Sequence, residues 1–149
     1  MARIAVRDGI QGVVCTPHWV PGQYENTRTK ILKTLNEFRK KLEEHGIPLI
    51  TYPGAELRLD VSLIERLKDG ELLTLNDTGR YVLIELPQDS LPPNLDRFFW
   101  DIRVTGMTPI ISHPERNLVL RNDPQILYRW VETGVLTQLT ASSLLGRFG

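Results

Sequence analysis

The chain has 149 residues, of which 41% are hydrophobic and 24% are charged. These values predict one globular domain and exclude a disordered chain. The 18 basic and 18 acidic residues balance, so the charge gives no support for nucleic acid or an anionic membrane as a partner. No segment reaches the roughly 18 apolar residues of a membrane span. The single cysteine excludes an internal disulfide and, without a signal-peptide pattern, indicates the cytoplasm.

Strand and helix patterns alternate along the chain. Ala2–Asp8 is typical of the end of a helix that stops at Gly9. The apolar, β-branched runs predict strands at Gly12–Thr16, Pro48–Tyr52, Tyr81–Glu85, Thr108–Ser112 and Val135–Thr140. Capping residues and helical periodicity predict helices from Asn26 or Thr27 to about His45, over about Val61–Lys68, from Asn94 through Val104, and from Asp123-Pro124 to Thr133. This alternation predicts an α/β fold with a buried parallel sheet and right-handed connections.

Polar residues follow or end four of the predicted strands. They are His18, Glu56, Glu85 and His113, and Arg116 comes three residues after His113. In parallel α/β sheets, functional sites lie at the carboxyl ends of the strands. Two histidines and two carboxylates suit Mn²⁺, Fe or Zn²⁺, and a guanidinium is a planar clamp for phosphate. The pattern therefore predicts metal-assisted chemistry on a phosphate ester.

Each of these residues also has an ordinary interpretation. His18 can cap a turn or lie at the edge of the core, and Glu56 can be an exposed loop acid. Glu85 lies in the apolar run L-I-E-L, where an unpaired carboxylate is costly to bury. Outside a metal site, its partner would be Arg80 or Arg116. The succession of four such residues favours the functional interpretation.

Four further features are interpreted as structural. Cys15 has no second cysteine and no glycine-rich loop with an arginine behind it, so we expect it to pack beneath the site. His45 ends a helix, where its protonated form suits the helix dipole. Glu115 is interpreted as an orienting or structural residue. The basic residues of the long helix are interpreted as its solvated face: Lys30, Lys33, Arg39, Lys40 and Lys41.

Five short motifs occur in a fixed order. They are T-P-H at 16–18, G-A-E at 54–56, Y-V-L-I-E-L at 81–86, S-H-P-E-R-N at 112–117 and T-Q-L-T-A-S-S-L-L-G at 137–146. With them the chain resembles, over essentially its whole length, the PHP-family (polymerase and histidinol phosphatase) tyrosine-protein phosphatases of bacterial capsule and exopolysaccharide systems. The resemblance implies a distorted (β/α)₇ barrel, of which residues 1–149 would form a single, incomplete PHP-like domain with a partial (β/α) barrel.

The resemblance also implies roles for the site residues. His18, Glu56 and His113 would be metal ligands, with Glu56 as the bridging carboxylate and Glu85 as a further acidic ligand. Arg116 would be the catalytic residue that binds the substrate phosphate. The implied cofactor is a divalent metal, Mn²⁺ first, with Fe or Zn²⁺ as alternatives. Water activated by this metal would attack the phosphorus of phosphotyrosine. The implied partner is an autophosphorylating tyrosine kinase that regulates polysaccharide export.

The family's N-terminal D-x-H-x-H segment and its late D-x-H motif do not occur in this sequence. We therefore expect a chain truncated at both ends, with an incomplete metal cluster and a doubtful activity of its own. Two alternatives stay open at this point. One is a PHP phosphatase for a small phosphomonoester such as histidinol phosphate, and the other is a non-catalytic binding module. A homo-oligomer also stays open.

Overall fold

Parallel strands alternate with helices, as the sequence predicts. The structure is a computed structural model that describes residues 1–147, and the predicted C-terminal end at Phe148 and Gly149 lies outside the described residues. The strands are β1 Gly12–Cys15, β2 His18–Trp19, β3 Ile50–Pro53, β4 Glu56–Arg58, β5 Tyr81–Glu85, β6 Thr108–Ser112 and β7 Leu136–Gln138. The helices are α1 Ala2–Arg7, α2 Arg28–Glu44, α3 Leu63–Lys68, α4 Leu95–Val104, α5 Leu118–Asn122 and α6 Pro124–Glu132. Short 3₁₀ helices cover Leu75–Asp77, Pro114–Arg116 and Ala141–Leu145.

The strands are arranged in space in the order in which they occur in the chain. β1 pairs with β3, and a second sheet has the order β2-β4-β5-β6-β7, with every pair parallel. Within residues 1–147 the order does not reverse, which distinguishes this sheet from a doubly wound one and is typical of a (β/α) barrel. The predicted α/β fold with parallel strands is therefore confirmed.

The first two predicted strands are each broken into two pieces. Thr16 and Pro17 separate β1 from β2, and Gly54 and Ala55 separate β3 from β4. The two breaks lie side by side, because the Glu56 amide donates to the Pro17 carbonyl at 3.1 Å. A Cβ on Gly54 would come within 2.9 Å of Val14 Cγ1, so this close approach requires glycine.

The breaks correct two predicted boundaries. The strand segments β2 and β4 are absent from the predicted strands, and Trp19, which lies after the predicted strand Gly12–Thr16, is a fully buried residue of β2. The prediction that the first strand is buried is also wrong. One face of the β1–β3 sheet is open among the described residues, where Val14 is 42% and Ile50 is 55% exposed.

The core lies between the five-stranded sheet and the helices. Alternate strand residues such as Leu57, Ile84 and Ile111 are fully buried and belong to one cluster with Phe99 and Trp130 of the helices. The opposite positions of the same strands carry polar side chains near the carboxyl edge. Because side chains alternate along each strand, one face of the sheet packs in the core and the other face carries the polar groups of the candidate site.

The predicted helix starts are confirmed in part. The Asp123 carboxylate accepts from the Gln125 amide at 3.2 Å and caps α6, with Pro124 in its first turn. Asn94 precedes α4 but lies in the left-handed region and makes no capping bond through its side chain. No helix within residues 1–147 is long and apolar enough to cross a membrane.

Candidate metal centre

Two of the predicted site residues lie beside each other at the strand breaks. His18 begins β2, Glu56 begins β4, and the two are directly paired in register. The Asn26 side-chain amide donates to the His18 carbonyl at 2.8 Å and holds this part of the chain in place. The short strand pieces after each break therefore bring an imidazole and a carboxylate to the same level of the sheet.

The next strands supply the other two residues. Glu85 is the last residue of β5 and is paired in register with Ser112 at the end of β6. His113 follows at once in a left-handed conformation, with φ 34° and ψ 54°. Its amide donates to the Gln138 carbonyl of β7 at 2.7 Å, which supports this sparsely populated backbone conformation. The turn aims the imidazole towards β4 and starts the 3₁₀ helix that contains Arg116.

The four side chains converge at short distances. His113 Nε2 lies 2.8 Å from Glu56 Oε1 and 3.6 Å from Glu85 Oε1. His18 Nδ1 lies 3.8 Å from Glu56 Oε2 and 3.7 Å from Glu85 Oε2. The residues line a cavity of about 400 Å³, whose other lining residues are Thr16, Arg116, Gln138, Leu139, Thr140 and Ala141. The structure thus brings together all five residues that the sequence singles out.

The charges in this cavity depend on one another. Burial on its own would raise the pKa of Glu56, but hydrogen bonding from His113 and Ser112 and the charges of both histidines lower it below its ordinary value. The contact with Glu56 raises the pKa of His113, against the effects of burial and of Arg116. Glu56 is therefore held as a carboxylate, the form in which it can bind a cation.

The donor set fits a divalent metal ion. One ligand atom from each of His18, Glu56 and Glu85 lies within 4.8 Å of the others, and His113 Nε2 adjoins both carboxylates. Two imidazoles and two carboxylates are the mixed nitrogen and oxygen ligands that suit Mn²⁺, Fe or Zn²⁺. The chemistry of these residues therefore agrees with the predicted metal site, whose occupancy and individual ligands remain predictions.

Glu85 has a different arginine partner from those considered in the sequence. Arg58, two residues after Glu56 on β4, places Nη1 at 3.2 Å from Glu85 Oε2. Neither Arg80, which stacks on Tyr81, nor Arg116 forms an ion pair with Glu85 among those found in residues 1–147. The register explains this choice, because Arg58 and Glu85 are directly paired across β4 and β5.

Asn117 fixes the S-H-P-E-R-N turn to the neighbouring loop. Its side chain is 3% exposed, and its amide nitrogen donates to the carbonyls of Pro87 at 2.6 Å and Ser90 at 3.1 Å. Its amide oxygen accepts from Leu120 N at 2.9 Å and caps α5. The sequence analysis did not single out Asn117, although an asparagine just before a helical run is a recognisable capping signal.

Two other predictions about single residues have different outcomes. Cys15 does not pack beneath the cavity, since it lines an apolar groove against Ile31, Leu35 and Phe38 of α2. Burial raises the pKa of this thiol, and the charge of Arg39 opposes the effect. His45 is exposed, with Nδ1 at 2.8 Å from the Lys41 carbonyl, and takes no part in the cavity.

The fold and the site together define a class of protein. Its parallel β/α sheet has strands in chain order and carries histidines, carboxylates and an arginine at its carboxyl edge. The sequence profile of the family described as "Capsular polysaccharide synthesis, CpsB/CapC" matches residues 1–149, and the chain belongs to this family. This confirms the resemblance inferred from the motifs.

Relatives in this family are named as phosphatases. The tyrosine-protein phosphatase YwqE of Bacillus subtilis (strain 168) is 41% identical over 149 residues, which are 100% of this chain and 58% of the relative. The tyrosine-protein phosphatase CpsB of Streptococcus pneumoniae is 30% identical over 135 residues, which are 91% of this chain and 55% of the relative. The chain therefore spans little more than half the length of these relatives.

A solved structure has the same fold. It belongs to a crystallographic study of B. subtilis YwqE and S. pneumoniae CpsB, described there as "unique metal-dependent tyrosine phosphatases". The match has a TM-score of 0.94 and 41% sequence identity, and it covers 100% of this chain and 60% of the solved one. The fold predicted from the resemblance, a partial (β/α) barrel of the PHP type, is therefore confirmed.

Proposed function

We propose that this protein is a metal-dependent protein-tyrosine phosphatase, which hydrolyses the phosphomonoester of phosphotyrosine. The observation that carries the proposal is the convergence of His18, Glu56, Glu85 and His113 in one cavity with Arg116. The names of the relatives, which are tyrosine-protein phosphatases, support the reaction and the substrate class.

The four convergent residues would hold the metal, for which we propose Mn²⁺, with Fe or Zn²⁺ as alternatives. A divalent metal supplies a Lewis acid that neutralises phosphoryl charge and activates water for attack. Glu56, with its lowered pKa, contributes negative charge between two imidazoles. The left-handed turn at His113 and the register of β4 and β5 support this assignment, because they set the positions of His113, Glu56 and Glu85.

Arg116 lines the same cavity and would bind the phosphate of the substrate. A guanidinium offers several N–H donors in a plane and stays charged at every working pH, so it can orient the phosphoryl oxygens and stabilise charge that develops on them. Leu139 and Ala141 are the apolar residues in the lining of this cavity. Their side chains support a substrate with an aromatic ring, such as phosphotyrosine, over a small polar alcohol.

The proposed partner is an autophosphorylating tyrosine kinase of capsule or exopolysaccharide export, and the proposed compartment is the cytoplasm. The description of the family, capsular polysaccharide synthesis, supports this setting. The single cysteine agrees with a reducing compartment.

The test measures hydrolysis of a phosphotyrosine peptide and of p-nitrophenyl phosphate with Mn²⁺, together with elemental analysis of bound metal. We expect His113→Ala to lose bound metal and activity, and Arg116→Ala to keep the metal but lose at least about a hundredfold in kcat/KM. His45→Ala and Arg121→Ala are matched controls, because both residues are exposed and lie outside the cavity.

Full activity of His113→Ala or Arg116→Ala would refute the proposed mechanism. A protein that binds no metal and hydrolyses neither substrate would instead be a non-catalytic module. A higher kcat/KM for histidinol phosphate than for the peptide would move the substrate to a small phosphomonoester.

A further inference from the structure

The T-A-S-S segment that follows β7 is a sequence motif that the proposed metal site does not use. It begins at Thr140 and continues into the 3₁₀ helix Ala141–Leu145. Thr140 and Ala141 line the same cavity as the candidate metal ligands. The segment therefore lies at the edge of the cavity, next to the side on which Arg116 lies.

Glu115 ties this segment to the turn after β6. Its Oε1 accepts from the Thr140 amide at 3.0 Å and from Ser143 Oγ at 2.7 Å. The first of these hydrogen bonds holds the backbone of Thr140 in place, and the second holds the side chain of Ser143.

The side chain of Thr140 is the next step in the same chain of contacts. Arg116 donates from Nη2 to Thr140 Oγ1 at 3.1 Å. Glu115 therefore holds the backbone of Thr140, and the hydroxyl of Thr140 holds the guanidinium of the neighbouring Arg116. The contact crosses 24 residues of sequence and joins the ends of two neighbouring strands.

An arginine side chain is long and has many rotamers, so restricting it costs conformational entropy. A phosphate clamp works best when this cost is met by the folded protein rather than by substrate binding. The hydroxyl of Thr140 accepts one N–H of the guanidinium and carries no negative charge. Thr140 can therefore align Arg116 without competing with the substrate phosphate for the guanidinium, as a carboxylate would.

We propose that Thr140 is a positioning residue, which preorganises Arg116 to bind the substrate phosphate. The inference rests on the proposed function, in which Arg116 binds that phosphate. No hydrogen bond found within residues 1–147 joins Thr140 to any of the four proposed metal ligands. Its loss should therefore affect phosphate binding and leave metal binding unchanged.

The test compares Thr140→Val, Thr140→Ser and Arg116→Ala in the Mn²⁺-loaded protein. Valine keeps the β-branch and the backbone N–H that binds Glu115 but removes the hydroxyl, whereas serine keeps the hydroxyl. The first readout is the dissociation constant of inorganic phosphate by calorimetry. The others are bound Mn²⁺ per chain, and KM and kcat for p-nitrophenyl phosphate.

We expect Thr140→Val to weaken phosphate binding about tenfold and to raise KM, with bound Mn²⁺ unchanged. Thr140→Ser should stay within about twofold of the original protein. Ser143→Ala is the matched control, because it removes the hydroxyl that donates to Glu115 Oε1 and keeps the hydroxyl of Thr140. It should change phosphate binding less than Thr140→Val does.

Three results would contradict the inference, and they can be told apart. If Arg116→Ala weakens phosphate binding but Thr140→Val does not, Thr140 has no positioning role and the proposed function stands. If Arg116→Ala itself leaves phosphate binding unchanged, the phosphate role of Arg116 fails and the inference fails with it. A loss in Thr140→Val that Thr140→Ser shares equally would also contradict the role of the hydroxyl.

Discussion

Replacing Asn117 by alanine should destabilise the protein more than any other single change to a polar residue in the S-H-P-E-R-N turn. The side chain makes three hydrogen bonds from a buried position: two to the loop after β5 and one that caps α5. Alanine removes all three. It also leaves the Leu120 amide without its capping acceptor.

The magnitude follows from the separate contacts. Loss of a capping side chain costs about 1 kcal/mol. Each of the two amide hydrogen bonds contributes about 0.5–1.5 kcal/mol net, with the lower value for the Ser90 carbonyl, because Ser90 is exposed and water can replace the lost donor. The sum is about 2–3 kcal/mol. Asn117→Ser should recover about 1 kcal/mol of this, since serine is a good cap but is too short to reach both carbonyls.

Urea unfolding followed by tryptophan fluorescence measures the effect through the change in free energy of unfolding. The control is Asn122→Ala at the exposed end of the same helix, which should stay within about 0.5 kcal/mol. A loss below about 0.5 kcal/mol for Asn117→Ala would refute the reasoning. Equal losses for alanine and serine would show that the capping bond contributes nothing.

The other predictions concern charge and reactivity. In the metal-free protein, the lowered pKa of Glu56 stabilises the fold above the ordinary carboxyl pKa of 4.5. The raised pKa of His113 stabilises the fold below the ordinary imidazole pKa of 6.5. Glu56→Gln should therefore lower the melting temperature in EDTA most between pH 4.5 and pH 6.5. A difference in melting temperature between the original protein and Glu56→Gln that increases above pH 8 would contradict this prediction. Arg58→Gln should weaken Mn²⁺ binding about tenfold in a competition with a chelating dye, because the Arg58 side chain orients Glu85. Arg80→Gln is the control. Equal Mn²⁺ affinities of the Arg58→Gln variant and the original protein would exclude this role of Arg58. Because the pKa of Cys15 is raised in the fold, its rate of alkylation should increase at a higher pH in the folded protein than in urea. Identical pH profiles of this rate in the two conditions would contradict the prediction.

The convergence of the candidate site was predictable because it follows from the βα pattern alone. His18, Glu56, Glu85 and His113 each lie near the carboxyl end of a predicted parallel strand, and the carboxyl ends of such strands meet at one edge. Only the order of strands and helices is needed for this inference. The positions of single partners need more information, which local patterns do not contain.

Arg58 and the short strands show what the sequence does not reveal. β2 and β4 have two and three residues, which is too short for an alternating pattern to be recognised. Because the sequence does not predict β4, it does not give the register between β4 and β5. Arg58 therefore could not be identified from the sequence as the partner of Glu85. The contact between Glu115 and Ser143 likewise depends on how the intervening α6 returns the chain to the sheet.

The sequential strand order also has a consequence for synthesis on the ribosome. Because each strand of the five-stranded sheet pairs with the strand before it, the sheet can grow in step with the emerging chain. The cavity does not form in this gradual way, since Arg116 meets Thr140 only after β7 has been added. When the chain has emerged from the ribosome only as far as β7, the residues of its hydrophobic core are therefore available to pack, while Arg116 still lacks its hydrogen bond to Thr140.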